Sequence, residues 1–167
     1  MLGLLALAAA LGAGTVPRKP PITTLMYLVN RPDSIASFRA HAARISIIAP
    51  QTFSMDDKGF VAGEVPAEVL RIAAENRVAV MPLVVNRGFR QPLMHTVPDA
   101  PESRARAIRY LLYYALRDGY LGFQFDYENI HYTYQDKFTV FFREAARVSP
   151  PPPWKTTGTR SPGRQAA

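Results

Sequence analysis

Residues 119–130 read GYLGFQFDYENI, and the polar residues within this stretch decide the fold. Its aromatic and aliphatic residues are typical of a β-strand, in which side chains alternate between two faces. One face carries only apolar and aromatic side chains: Leu121, Phe123, Phe125 and Tyr127. The other carries a glycine and three polar side chains: Gly122, Gln124, Asp126 and Glu128. Under helices on both faces of an open sheet, that polar row would be buried without partners. In a (β/α) barrel it lines the interior and reaches the mouth, so the pattern favours a barrel.

The remainder of the chain alternates between predicted strands and predicted helices. Short apolar and β-branched runs predict strands near residues 24–29, 45–49, 79–85 and 121–127. Apolar positions at helical spacing predict helices that open near Val65–Ala67, run from Pro101 to Asp118, and cover 135–147. Strands alternating with helices form parallel sheets with right-handed crossovers. The predicted fold class is therefore α/β, with about four of the eight parallel (β/α) units of a TIM barrel.

Two further details are predicted from the positions of prolines. Pro50 is expected to close the second strand before a turn at Asp56–Gly59. The segment around His95 is expected to be a surface loop, with a turn between Pro98 and Pro101.

Composition limits the class of protein. The 167 residues suffice for one domain, and the absence of cysteine excludes disulfides, a cysteine nucleophile and cysteine zinc sites. The formal net charge of +7 is scattered and forms no basic stripe with interleaved aromatics, so no nucleic-acid partner is predicted. No stretch is long enough to span a bilayer.

The two ends differ in composition from the middle. Residues 1–14 match the apolar region and small-residue cleavage site of a signal peptide, which predicts a secreted or cell-envelope protein. Residues 15–148 form the predicted barrel domain, and residues 149–167 are a Pro-rich basic tail expected to be disordered. Because the tail follows the predicted helix at 135–147 directly, we expect a truncated or frame-shifted product.

Asp126 and Glu128 are the candidate chemical groups. Carboxylates two residues apart on one strand face can share a proton, which leaves a protonated acid beside an ionised neighbour. Such a pair can donate a proton to a leaving-group oxygen. A salt-bridged pair, or a metal site completed by His131, are the alternative interpretations of the same residues.

The stretch 119–130 resembles the fourth-strand signature of glycoside hydrolase family 18, the chitinase-like barrels, whose core is Asp-Gly-x-x-x-Asp-x-Glu. Ile45–Pro50, the turn after Met55 and the segment VMPLVVN are similar to the spore-cortex and peptidoglycan branch of that family. The resemblance covers about residues 23–147 and implies substrate-assisted hydrolysis of β-linked N-acetylglucosamine polymers, with retention and without a cofactor.

Carried over residue by residue, the resemblance implies that Glu128 is the general acid and that Asp126 orients the substrate's acetamido group. The chain departs from the family's pattern in two places: Leu121 replaces the first Asp of the signature, and Gln124 stands where an acid or Asn is common. Four other residues are expected to line the mouth with Gln124 and bind the sugar: Tyr27, Asn86, Tyr132 and Tyr134.

The implied partner is an amino-sugar polysaccharide, chitin or peptidoglycan. The alternative function is a non-catalytic carbohydrate-binding protein, favoured by Gln124 and by the lack of counterparts to the family's later strands. The strands at 24–29 and 121–127 are expected to be exposed edges, and exposed edges predict self-association.

Overall fold

The predicted strands form one sheet, with helices packed on its outer side. The computed structural model describes residues 24–86, 88, 91–128 and 130–148, without the side chains of 91–94. The strands are β1 (Leu25–Leu28), β2 (Ile47–Met55), β3 (Val61–Gly63), β4 (Ala79–Val80), β5 (Leu83–Asn86) and β6 (Gln124–Asp126). The helices are α1 (Pro32–His41), α2 (Ala67–Asn76), α3 (Gln91–Asp99), α4 (Pro101–Asp118) and α5 (Gln135–Val148). Short 3-10 turns occupy Ala42–Arg44 and Tyr132–Tyr134.

The sheet has the order of half a barrel. β1 pairs with β2, β2 with β4 and β5, and β5 with β6, all in parallel. β4 and β5 together make the third barrel strand, interrupted at Met81 and Pro82. Within the described ranges β1 and β6 are each paired on one side. The predicted α/β class with four parallel strands of a partial TIM barrel is thus confirmed.

The prediction that Pro50 ends the second strand is wrong. β2 continues to Met55 and pairs there with the antiparallel strand β3. Pro50 faces Leu28 of β1 in register, and the pairing of β2 with β5 shifts between Gln51 and Phe53. A proline lacks a backbone donor and is tolerated in a strand beside such an irregularity.

The prediction of a loop around His95 is also wrong. Residues 91–99 form helix α3, and Pro98 lies inside its last turn. The chain then turns at Ala100 and enters α4 with Pro101 at its first position, as expected. α4 ends where Gly119 adopts a left-handed conformation with φ of 71°.

The hydrophobic core lies between the outer face of the sheet and the helices. Phe125 of β6 contacts Phe141 and Phe142 of α5, with ring centroids 5.7 and 5.2 Å apart. Tyr127 contacts Phe138 at 6.0 Å, and burial raises the pKa of its hydroxyl well above the usual value. The aromatic face of residues 121–127 is therefore the outer face.

A hairpin turn fastens the end of β2 to α4. One carboxylate oxygen of Asp56 accepts hydrogen bonds from the backbone N–H groups of Lys58 and Phe60, at 2.9 and 2.8 Å. Gly59 follows with φ of 79°, and a Cβ atom there would lie 2.2 Å from the carbonyl oxygen of Ser103. The turn and the first residues of α4 can approach this closely because Gly59 has no side chain.

The described residues contain no helix long and apolar enough to cross a bilayer. The predicted signal peptide at 1–14 and the predicted tail at 149–167 lie outside the described residues.

We expect Gly59→Ala to destabilise the fold more than Gly119→Ala. Both glycines have a left-handed backbone, which costs about 1–2 kcal/mol for a residue with a Cβ atom. A Cβ atom at Gly119 meets nothing within 4 Å, whereas one at Gly59 overlaps Ser103. Gly59→Ala should therefore lose about 1–3 kcal/mol more. Urea unfolding of both variants measures the difference, and equal losses would contradict the packing of the turn on α4.

Candidate active site

The polar residues of β6 lie on the concave side of the sheet, opposite the aromatic core. Gln124 and Asp126 alternate with Phe125, whose ring packs against α5, and both are half-buried. Glu128 is the second residue after β6 and is exposed. Two neighbours on β5 hold this strand in register: Leu83 stands beside Gln124, and Val85 beside Asp126. The side chains of residues 122–128 therefore alternate between the concave side and the aromatic core, as the sequence predicts.

Asn86 fixes the backbone of Glu128. The Glu128 N–H donates to Asn86 Oδ1, and Asn86 Nδ2 donates to the Glu128 carbonyl oxygen, each at 3.1 Å. Asn86 has no exposed surface, and its amide continues the pairing of β5 with β6 beyond Val85 and Asp126. A buried amide with both ends bonded is costly to replace. In the structure Asn86 thus holds the backbone of the proton-donor candidate, and its own side chain is not exposed.

Tyr27 shares the concave side with the two carboxylates. Leu28, the next residue of β1, is completely buried in the core, so Tyr27 faces away from the helices and is 45% exposed. Partial burial raises the pKa of the Tyr27 hydroxyl, and the negative charges of Asp126 and Glu128 raise it further. The structure therefore brings the predicted residues of β1 and β6 within electrostatic reach of each other.

The two tyrosines after β6 have different surroundings. Tyr132, on the 3-10 turn, is 79% exposed. Tyr134 stacks on His95 of α3 with ring centroids 3.7 Å apart and planes within 4°. Lys137 Nζ lies 4.7 Å above the Tyr134 ring and forms an ion pair with Asp99. The Tyr134 ring consequently joins α3 to α5, while Tyr132 is open to solvent.

His131 has a local structural contact. Its Nδ1 lies 2.8 Å from Thr133 Oγ1 and accepts from the Thr133 N–H at 3.4 Å, which caps the 3-10 turn. Within the described ranges no three His, Asp or Glu side chains come together as a metal site requires.

Two features of the site region were not predicted from the sequence. His95 is stacked on Tyr134, and its Nε2 is buried without a hydrogen-bond partner in the described part of the chain. Gln124 Oε1 is buried and likewise unpartnered among the described residues. Only the fold brings His95 and Tyr134 together, because they are 39 positions apart in the sequence and no local pattern links them.

The four parallel βα units define a partial (β/α) barrel. Its candidate active site is at the mouth, where two carboxylates lie at the C-terminal end of the last strand. The chain is similar in structure to the spore cortex-lytic enzyme SleL of Bacillus cereus, with a TM-score of 0.70 and 18% identity over 77% of this chain and 33% of that one. It is similar to a chitinase from Chromobacterium violaceum, with a TM-score of 0.68 and 19% identity over 76% of this chain and 42% of that one.

A third similar structure is the putative sporulation-specific glycosylase YdhD of Bacillus subtilis, with a TM-score of 0.56 and 21% identity over 60% of this chain and 35% of that one. The chain thus spans about a third to two fifths of these proteins. No family model and no curated protein matches the sequence. The resemblance to the chitinase-like barrels is therefore confirmed as a structural similarity to part of such a barrel.

Asn86→Ala is expected to loosen the end of β6. It removes two hydrogen bonds to the Glu128 backbone, each worth about 0.5–1.5 kcal/mol. Amide hydrogen exchange at Glu128 should accelerate together with the loss of stability. Asn76→Ala is the control, because Asn76 also donates from its amide to a carbonyl but lies on the exposed end of α2. Unchanged exchange at Glu128 would show that Asn86 does not hold this segment.

Asp126→Asn and Glu128→Gln should each lower the pKa of Tyr27. A nearby negative charge disfavours the phenolate, so removing it makes deprotonation easier. Burial is the larger cause, and the pKa should therefore remain above its usual value in both variants. Titration of the Tyr27 ring carbon by NMR measures the shift. If neither substitution moves it, the three side chains do not share the concave side.

Proposed function

We propose that these (β/α) units belong to a glycoside hydrolase that cleaves β-linked N-acetylglucosamine polymers. The observation that carries the proposal is the arrangement of Asp126 and Glu128 on the concave face, at the strand end where barrel enzymes place catalytic groups. The chitinase and the cortex-lytic enzyme with similar folds support it. Because the chain spans only part of those enzymes, the activity is proposed for the protein in which the barrel is complete.

Glu128 is the proposed proton donor. Its exposed carboxyl group can reach the glycosidic oxygen of a bound polymer, and it transfers its proton as the bond from that oxygen to the anomeric carbon breaks. The substrate's own acetamido oxygen attacks the anomeric carbon and forms a cyclic cation. Water then opens the ring, with the Glu128 carboxylate taking its proton, so the anomeric configuration is retained.

Asp126 is the proposed partner. Its carboxylate accepts a hydrogen bond from the acetamido N–H and stabilises the positive charge of the cyclic intermediate. Gln124 lies two residues earlier on the same face and offers a neutral amide where another acid would add a third charge. Tyr27 and Tyr132 supply exposed ring faces on which sugars can stack. No cofactor is needed for this reaction.

A non-catalytic carbohydrate-binding protein is the second candidate. The absence of a third carboxylate at Gln124 and the openness of the concave side around Tyr27 favour this alternative. For either function we propose a secreted or cell-envelope location, on the basis of the apolar run at 2–13.

Turnover of a chromogenic chito-oligosaccharide by the protein in which the barrel is complete separates the two candidates. Glu128→Gln keeps the shape of the site but cannot donate the proton, so the rate should fall by at least about 10²-fold while sugar binding persists. Asp126→Asn should also be strongly impaired. Leu121→Ala, on the opposite face, should act through stability alone. Equal rates in the wild type and Glu128→Gln would exclude the hydrolase, and binding without turnover would establish the binding protein.

A further inference from the structure

An open groove lies on the outer flank of the fold, away from the concave face. It has a volume of about 420 Å³. Its lining consists of three aromatic and two arginine side chains: Phe60, Arg106, Arg109, Tyr110 and Tyr113. We call these five residues the α4 groove.

Helix spacing and the hairpin turn build the α4 groove together. Residues 106, 109, 110 and 113 are three or four positions apart and therefore share one face of α4. The close approach of Gly59 to Ser103 brings Phe60 beside this face, with its ring 5.8 Å from that of Tyr110. The groove is thus a fixed feature of the packing of two elements.

Two positive charges in the α4 groove have no carboxylate partner in the described part of the chain. The Arg106 guanidinium lies 4.9 Å from the Phe60 ring centroid and donates to the Lys58 carbonyl oxygen. Arg109 is exposed, and neither arginine forms one of the ion pairs found among the described residues. Other described arginines, such as Arg71 and Arg104, are ion-paired.

The chemistry of the α4 groove fits an acidic sugar chain. Phe60 and Tyr113 are 43% and 55% exposed, so part of each aromatic side chain is open to contact with a sugar. A guanidinium group binds a carboxylate with two parallel hydrogen bonds. A nucleic-acid site that makes about 6–10 phosphate contacts would need more cations than these two arginines.

We propose that the α4 groove is a non-catalytic docking site for an amino-sugar polymer that carries carboxylates, as peptidoglycan does and chitin does not. This rests on the proposed function and selects the acidic polymer as the substrate class. A polymer held at the α4 groove raises the local concentration of its neighbouring sugars, including those within reach of Asp126 and Glu128.

The test is co-sedimentation of the full chain with three insoluble polymers: peptidoglycan, peptidoglycan whose carboxyl groups have been amidated, and chitin. All samples carry Glu128→Gln to prevent cleavage. Arg109→Gln removes no hydrogen bond or ion pair found among the described residues. This variant and the double variant Arg106→Gln/Arg109→Gln should bind native peptidoglycan at least about tenfold more weakly, the loss expected for one or more charge-assisted hydrogen bonds. Their binding to the amidated polymer and to chitin should match the parent.

The double variant Arg143→Gln/Arg147→Gln is the matched control, because it removes the same charge from exposed positions on α5. It should bind like the parent. Tyr113→Ala should weaken binding to both forms of peptidoglycan, since the ring contacts the sugar and not the charge. Raising the ionic strength from about 0.01 M to about 0.15 M shortens the Debye length from about 30 to about 8 Å. This should weaken the binding of the parent and of the α5 control to native peptidoglycan and leave their binding to the amidated polymer and to chitin unchanged.

The proposal is overturned by undiminished binding in Arg106→Gln/Arg109→Gln, by an equal loss in the α5 control, or by an equal loss on chitin. Tighter retention on immobilised RNA than on peptidoglycan would also overturn it. Turnover of a small neutral chito-oligosaccharide, which Arg109→Gln should leave unchanged, is assayed separately in the Glu128 background. If the groove variants bind normally but turnover depends on Glu128, the docking proposal is wrong and the hydrolase proposal is supported. If binding depends on the groove but no turnover is observed, the docking proposal is supported and the hydrolase proposal is wrong.

Discussion

The register between β5 and β6 is the constraint on which the site and the core both depend. Val84 stands beside Phe125 and Val85 beside Asp126, so neighbouring residues of β6 are committed to opposite faces. A slip of one residue would turn Asp126 toward the aromatic side chains of α5 and Phe125 toward the concave side. An unpaired carboxylate among aromatic rings is far more costly than one at a solvated mouth. The hydrophobic core of the outer layer therefore also specifies where the carboxylates point.

The backbone around Glu128 is held by a side chain from the neighbouring strand. Regular pairing of β6 ends at Asp126, and the reciprocal bonds of Asn86 extend it to Glu128. Asn86 thus gives an exposed carboxylate a fixed backbone, without a contact to the carboxylate itself. This division of roles suits a general acid, whose carboxyl group must be free to exchange protons while its position stays defined.

Local sequence patterns predicted the parts of the structure that are determined locally. The spacing in α4 and α5 and the alternation in β6 were sufficient, since a helix or strand buries one face wherever it lies in the fold. The extension of β2 past Pro50 and the helix α3 were missed for a physical reason. Proline rules describe an isolated segment, whereas Pro50 is accommodated by a shift in pairing with β5. Pro98 lies inside α3 although a proline there removes one helical hydrogen bond.

In the site, too, the sequence predicted the features that depend on local pattern and missed those that depend on distant contacts. Asp126, Glu128 and Gln124 follow from alternation, and Tyr27 from its place in the first strand. The reciprocal bonds between Asn86 and Glu128 join residues 42 positions apart, and the stack of His95 on Tyr134 joins α3 to the 3-10 turn that precedes α5. Contacts of this kind depend on the relative placement of whole elements. The sequence could therefore indicate that Asn86 lies near the mouth but not which group it binds.

The sequence shows which residues are charged, but only the fold shows which aromatic side chains lie beside them. The scattered cations give no stripe in the sequence, and the three-or-four-residue spacing of Arg106, Arg109 and Tyr113 alone describes an ordinary solvated helix face. The hairpin turn changes this, because Gly59 allows Phe60 to close one side of that face. The concave side thus carries the two carboxylates of Asp126 and Glu128, and the α4 groove carries two arginines without an ion-pair partner among the described residues. In our proposal the groove attracts an acidic polymer that the two carboxylates would repel, so that capture and cleavage use different surfaces.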